Sequence, residues 1–260
     1  MPSPSLSENP MPLIVFSRTG RPVPPDVTAA EQRVLDRLTA GVGASVWVTP
    51  ELLDLPDQDP FWEQLTGENQ PFVVLSRLHP RAVRALLAER GVLPEADERF
   101  LGAFRLQAET SSEDLLGAIP GLLPSGQGGP VVRLDTRPLR KRWYPLLDRE
   151  RCTRCGQCYE FCVFGVFERT DAGDVIAVRP DNCKPGCPAC ARVCPAGAVI
   201  FPDCLDDALI AGAAGPVRPP ESASAVSCAC ACSACDPSTA QGDADELDGL
   251  IAALDALDAP

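Results

Sequence analysis

Cysteine is the residue of this sequence best able to do chemistry: 13 occur in 260 residues, all between Cys152 and Cys235. Eight fall in two runs, Cys152-Thr-Arg-Cys155-Gly-Gln-Cys158-Tyr-Glu-Phe-Cys162 and Cys183-Lys-Pro-Gly-Cys187-Pro-Ala-Cys190-Ala-Arg-Val-Cys194-Pro195. Three closely spaced thiolates can wrap the chain around three irons of an iron–sulfur cube, while a fourth on a short helix points away towards a neighbouring cube. Two like sets of thiolates therefore suit two [4Fe-4S] clusters. Zinc is tetrahedral and usually takes two cysteine pairs, which would leave the third and fourth cysteines of each run surplus. Disulfides are disfavoured in a reducing compartment.

Over about residues 146 to 204, roughly a quarter of the chain, the pattern resembles the bacterial two-cluster ferredoxins. The resemblance implies one [4Fe-4S] cluster on Cys152, Cys155, Cys158 and Cys194, and a second on Cys183, Cys187, Cys190 and Cys162. It also implies a βαββαβ pseudo-repeat, with Leu146 to Asp148, Val166 to Thr170, Val175 to Arg179 and Val199 to Phe201 as strands and Asp171 to Asp174 as a hairpin turn. Two positions depart from the family pattern. Val163 stands where a proline usually follows, and three residues rather than two separate Cys183 from Cys187. A cubane is still expected there. Gly156, Gly186, Ala189 and Ala191 are small enough to let backbone N–H groups approach the sulfurs, and Tyr159, Phe161, Phe164, Val193 and Ile200 are the expected water-excluding side chains.

The remaining thiols are more ambiguous. Cys204 is a spare, because all eight family positions are filled. Cys228, Cys230, Cys232 and Cys235 can wrap a soft metal or belong to an incidental low-complexity linker, and both readings stay open. Beyond them, Asp243 with Glu246 opens an amphipathic helix over 243–258 whose Leu247, Leu250, Ile251, Leu254 and Leu257 share a face. That face either packs on its own chain or docks another protein.

Residues 1–151 contain no cysteine, and a different kind of segment is expected there. Apolar β-prone runs begin at Leu13, Ser45, Phe72 and Phe100, separated by 32, 27 and 28 residues, the length of a strand, a helix and their turns. Thr28 with Glu31 reads as a capping box, with Gly41 as a stop. Pro80 opens a second helix that Gly91 ends. The alternation predicts a small α/β domain with a largely parallel sheet. The stretch from Pro120 to Pro130 reads as a connector. Arg133, Arg137, Arg140, Lys141 and Arg142 form a basic strip, read as solvated linker or as a steering patch for an acidic partner. His79, the one histidine, lies at a strand-to-helix turn beside Ser76, Arg77 and Arg81, where open sheets bind ligands, although a histidine there also simply caps or packs. No nucleotide-binding glycine motif or nucleophile elbow follows a predicted strand.

The expected organisation is thus an α/β domain over 13–135, a two-cluster domain over 143–204, a flexible cysteine-bearing linker over 205–242 and the acidic helix. The net charge of −13 is concentrated in residues 203–260, which hold 11 acidic side chains and one basic; nucleic acid is therefore not an expected partner. No apolar run is long enough to span a bilayer and the start does not read as a signal peptide, so a cytoplasmic location is expected. The functional expectation is an electron carrier serving a redox partner protein. Two alternatives are an electron-input subunit or oxidoreductase with a substrate site in the α/β domain, and a metal-handling or scaffold protein that uses the tail thiols. No catalytic residue is assigned.

Overall fold

Strands buried on both faces need no polar alternation, and Leu13-Ile-Val-Phe-Ser17 has none. In a computed structural model, which describes residues 12–40, 43–93, 97–119, 129–134 and 140–216, this run is β1 (Leu13–Ser17), wholly buried at the centre of a sheet. The sheet also contains β2 (Ser45–Thr49), β3 (Phe72–Ser76), β4 (Phe100–Arg105) and β5 (Val131–Arg133), in the order β4-β3-β1-β2-β5. All four pairings are parallel. The expected α/β class and parallel sheet are borne out. Strand β5 was missed, because three exposed residues carry no alternation to read.

Helices cover both faces. Ile14 and Phe16 pack with Val34, Leu35 and Leu38 of α1 (Pro25–Thr39) and with Leu115 of α4 (Ser112–Gly117). Leu13 and Val15 point the other way, towards Phe61, Trp62 and Leu65 of α2 (Pro60–Gly67) and Val83 and Leu86 of α3 (Pro80–Glu89). The sequence expectation placed the start of α1 too late. Pro24 is its N-cap and Thr28 lies inside it, while Glu31 accepts the Thr19 backbone N–H at 3.2 Å. Gly41 and most of the expected connector lie outside the described residues. Gly91, at φ +71°, follows α3 as expected.

The cysteine-bearing segment adds β6 (Leu146–Leu147), α5 (Gln157–Phe161), β7 (Phe167–Arg169), β8 (Val175–Ala177), α6 (Ala189–Arg192) and β9 (Val199–Ile200). β6 pairs antiparallel with β9, and β7 with β8. The order is strand, helix, strand, strand, helix, strand. Residues 205–216 fold back over it, with the Phe201 N–H donating to the Ile210 carbonyl at 2.8 Å.

This segment shares a core with the sheet layer: Tyr144, Leu146 and Ile200 sit in the apolar cluster built by α2, α3 and β1. Charged groups join the parts as well. Asp203 lies between Arg77 (2.5 Å) and Arg21 (2.8 Å), Arg77 holds Glu51 (2.8 Å), and Arg21 holds Asp54 (2.7 Å). The basic strip does not read as solvated linker at Arg142. This side chain is 6% exposed and donates to the Leu55 carbonyl at 2.9 Å, to Asp57 at 2.7 Å and to Asp181 at 2.9 Å. Its guanidinium stacks 4.4 Å from the Tyr144 ring. Gly212, at φ +104°, allows the closest approach, since a Cβ there would lie 3.0 Å from the Ala82 Cβ of α3.

Two tests follow from this junction. Asp203→Ala leaves two buried guanidiniums short of a partner, and removing one member of a buried ion pair costs about 3–5 kcal/mol. Urea unfolding should show that loss, whereas Glu150→Ala, whose pair with Arg84 is exposed on both sides, should cost under about 1 kcal/mol. Glu89 accepts the Leu147 N–H at 2.7 Å, and burial, opposed by that bond and by Arg90 and Arg149, pushes its pKa from 4.5 up to about 7. The folded state then retains a proton that the unfolded chain releases, so stability falls as pH rises through that interval. Glu89→Gln should reduce the fall, read from urea midpoints at about pH 5 and pH 8; Glu31, also raised to about 7 by burial, keeps it from vanishing.

Candidate metal centre

The first cysteine run is shaped by a loop entering α5. Arg154 (φ 59°) and Gly156 (φ 83°) take left-handed backbone on either side of Cys155, turning the chain back so that Cys158 starts its helix facing inward. The second run follows a short 3-10 turn at Pro180–Asn182. The Cys187 N–H closes a turn onto the Lys184 carbonyl at 3.0 Å, and α6 carries Cys190 inward. The extra residue between Cys183 and Cys187 is accommodated in that turn, where Gly186 has φ +79°.

Cys158, Cys183 and Cys190 are buried, Cys152, Cys162, Cys187 and Cys194 are partly exposed, and Cys155 is exposed; all are free thiols. Their mutual electrostatics show which stand together. Burial, then Cys194, Cys152 and Cys155, push the Cys158 thiol up to about 11. Burial, then Cys187 and Cys162, push Cys183 up to about 12, with the Trp143 indole opposing. Cys190 is held well above its ordinary value by burial, then by Cys183, Cys162, Cys158 and Cys187. Each of these buried thiols thus feels cysteines of both runs.

The surrounding groups suit anionic sulfur. The Ala198 N–H donates to Cys194 Sγ at 3.3 Å. Trp143 Nε1 donates to the Cys187 carbonyl at 3.3 Å, and its ring stacks 5.2 Å from Phe201. The apolar shell differs from expectation. Leu147, Val166, Phe167, Val175, Val199, Phe201 and Ile210 pack around the buried cysteines, whereas Phe161 is 54% exposed and Tyr159 and Phe164 also face solvent. Ile200 belongs to the sheet-layer core. Helix α5 is only five residues long and turns its aromatic side outwards, which a pattern read on sequence cannot resolve.

Eight thiols and no imidazole, the buried ones packed among apolar side chains and Cys194 and Cys183 approached by N–H donors, are a donor set that fits iron–sulfur clusters. Among the described residues, no three His, Cys, Asp or Glu side chains converge closely enough to hold a single metal ion. Cys204 is buried in the same apolar cluster as Cys158, Cys183 and Cys190; burial raises its pKa against a backbone bond with Asp207, and the charges that bear on it are Asp206, Arg192 and Asp207 rather than other cysteines. His79 is the N-cap of α3 and makes no side-chain capping bond. Burial, then Arg105 and Arg81, lower its pKa. Cys228, Cys230, Cys232, Cys235 and the acidic helix lie outside the described residues.

Such thiols on a βαββαβ frame define a ferredoxin type of iron–sulfur module, and comparison with known proteins agrees. An uncharacterized ferredoxin of Methanocaldococcus jannaschii is 40% identical over 62 residues, 24% of this chain and 42% of that protein. The pyruvate synthase subunit PorD of the same organism is 38% identical over 55 residues, 21% of this chain and 62% of PorD. A further uncharacterized ferredoxin is 33% identical over 58 residues, 22% of this chain and 74% of that protein. The chain belongs to the ferredoxin family. It spans less than two thirds of the first two relatives, and the matches leave most of its own length uncovered. No family model and no solved structure matches it. Among the described residues, no helix is long and apolar enough to cross a membrane.

Because no other cysteine bears on Cys204, a test follows: Cys204→Ala should keep the iron and acid-labile sulfide of the unaltered chain. A loss equal to that of Cys158→Ala would make it a ligand.

Proposed function

We propose that the chain is a one-electron carrier with two [4Fe-4S] clusters, one on Cys152, Cys155, Cys158 and Cys194 and the other on Cys183, Cys187, Cys190 and Cys162, serving a protein redox partner. The observation that carries this reading is the company the fourth cysteines keep, with Cys194 bearing on Cys158 and Cys162 on Cys183 and Cys190. Bound there, the clusters supply reversible one-electron chemistry. The chain's own groups do the rest. Cys158, Cys183 and Cys190 would bind from the buried side, the shell from Leu147 to Ile210 excludes water, and the Ala198 N–H stabilises negative charge on Cys194. Because burial disfavours the free thiolates of Cys158, Cys183 and Cys190, binding releases protons and couples to folding.

A substrate site in the sheet domain is less well supported. In open α/β sheets ligands bind beyond the strand ends, where the strand order reverses, which here is between β1 and β3. Arg21 and Arg77 meet the chain's own Asp203 there. A cavity of about 260 Å³ remains to one side, lined by Arg18, Thr19, Thr49, Glu51 and Arg133. The resemblance to PorD, a pyruvate synthase subunit by name, supports work alongside a protein partner.

The test is anaerobic purification with iron and sulfide counts, and electron paramagnetic resonance after reduction. Cys155→Ser and Cys194→Ser should remove the same one of two signals. An intact signal in the Cys194 variant overturns the cross-ligation, and stoichiometric zinc without acid-labile sulfide overturns the function.

A further inference from the structure

Arg81, the second residue of α3, belongs to the sheet domain, yet its side chain ends in the cysteine-bearing segment. It is 13% exposed, and its two terminal nitrogens donate to the Gly197 carbonyl at 3.2 Å and the Leu209 carbonyl at 3.0 Å. Gly197 belongs to the turn after Cys194: its own N–H donates to the Cys194 carbonyl at 3.1 Å, and the next N–H, of Ala198, donates to Cys194 Sγ. The guanidinium is therefore clamped on the turn that presents this sulfur. Its nearest carboxylate, Asp148, is 3.7 Å from Nε, too far for a hydrogen bond, and Nε has no other partner. That carboxylate is also shared with Arg151, again at 3.7 Å. A permanent cation is thus held here by neutral carbonyls, with its charge only loosely balanced.

The other group of sulfurs is approached differently. Trp143, also anchored at the junction, offers Cys183 and the Cys187 carbonyl a neutral indole N–H. Cys194, for its part, bears electrostatically on Arg81.

A cluster becomes more negative when it takes up an electron, and a fixed positive charge in a poorly solvated site favours the more negative state. We propose that the α/β domain serves to make the two clusters unequal: Arg81, reaching from α3 onto the Cys194 turn, raises the reduction potential of the cluster that Cys194 holds and leaves the other little affected. An electron entering the pair then rests preferentially on that cluster. This rests on the two-cluster reading above, and it gives the unmatched domain a part in the electron chemistry without a substrate of its own.

The experiment is a potentiometric titration of the full, anaerobically prepared chain, followed by electron paramagnetic resonance, so that both midpoint potentials are read. Arg81→Gln, with iron and sulfide unchanged, should shift one midpoint downward and leave the other in place, and Arg81→Lys should restore most of the shift. Asp148→Asn removes the loosely balancing charge while keeping an oxygen for the Glu150 and Arg151 N–H groups that Asp148 accepts, and should move the same midpoint upward. If Arg81→Gln fails to assemble its clusters, the Asp148 variant decides. Unchanged midpoints, or two midpoints moving together, overturn the proposal. Absence of two clusters in the unaltered chain overturns the function itself, a separate result.

Discussion

The architecture depends on one carboxylate. Asp203, just past β9, sits between Arg21 from the loop after β1 and Arg77 from the turn after β3. Open parallel sheets bind their ligands beyond the carboxyl ends of the strands, and the order of this sheet opens a crevice between β1 and β3. In this chain the ligand is covalently its own. Glu51 and Asp54 extend the pattern to three carboxylates around two guanidiniums, and burial raises the pKa of both acids against the pull of their arginines. With Asp203 fixed, β9 is fixed, and with β9 come β6 and the turn that carries Cys194.

A second constraint is the mutual burial of the thiols. Cys158, Cys183 and Cys190 each have the thiolate disfavoured first by loss of water and then by sulfur neighbours, so the protein alone is arranged against the ionisation state that metal ligation needs. The compensation must come chiefly from bound iron, assisted by the Ala198 amide, the Trp143 indole and the Arg81 guanidinium. Those three helpers do not fall evenly. The amide and the cation lie at Cys194, the indole at Cys183 and Cys187, and two cysteine runs alike in sequence acquire unlike surroundings.

How much of this was legible beforehand depends on whether a feature is carried by local spacing or by contact. The starts of β1 to β4 were readable because central parallel strands are continuous apolar runs, and Pro80 marked α3 by its missing N–H. The cysteine spacing announced its chemistry for the same reason, since ligand geometry is met within a few residues. What was misread lay in long-range contacts. Arg142 looked like one more solvated arginine until Asp57, Asp181 and the Leu55 carbonyl enclosed it. Glu31 suited a capping box until the helix began at Pro25 and the Thr19 amide claimed its carboxylate. Phe161 and Ile200 both looked like cluster cover, yet one faces solvent and the other fills the sheet-layer core. Arg81 drew notice only as a neighbour of His79, because nothing local ties it to a turn more than a hundred residues away.

Buried ion pairs are costly to desolvate and are weak stabilisers compared with well-packed apolar groups of similar volume. The network around Asp203 therefore calls for a reason besides stability. An interface made only of Leu146, Ile200, Val83 and Leu86 would hold α3 and β6 together but would tolerate sliding, because apolar contact has little direction. Guanidinium–carboxylate pairs at 2.5 to 2.8 Å do not tolerate it, since a shift of one residue would leave several charges buried without partners. That rigidity is what places Arg81 on the Cys194 turn reproducibly. The effect of a fixed charge on a nearby redox centre is useful only if the separation does not wander, and the same pairs that join the two parts of the chain hold that separation constant.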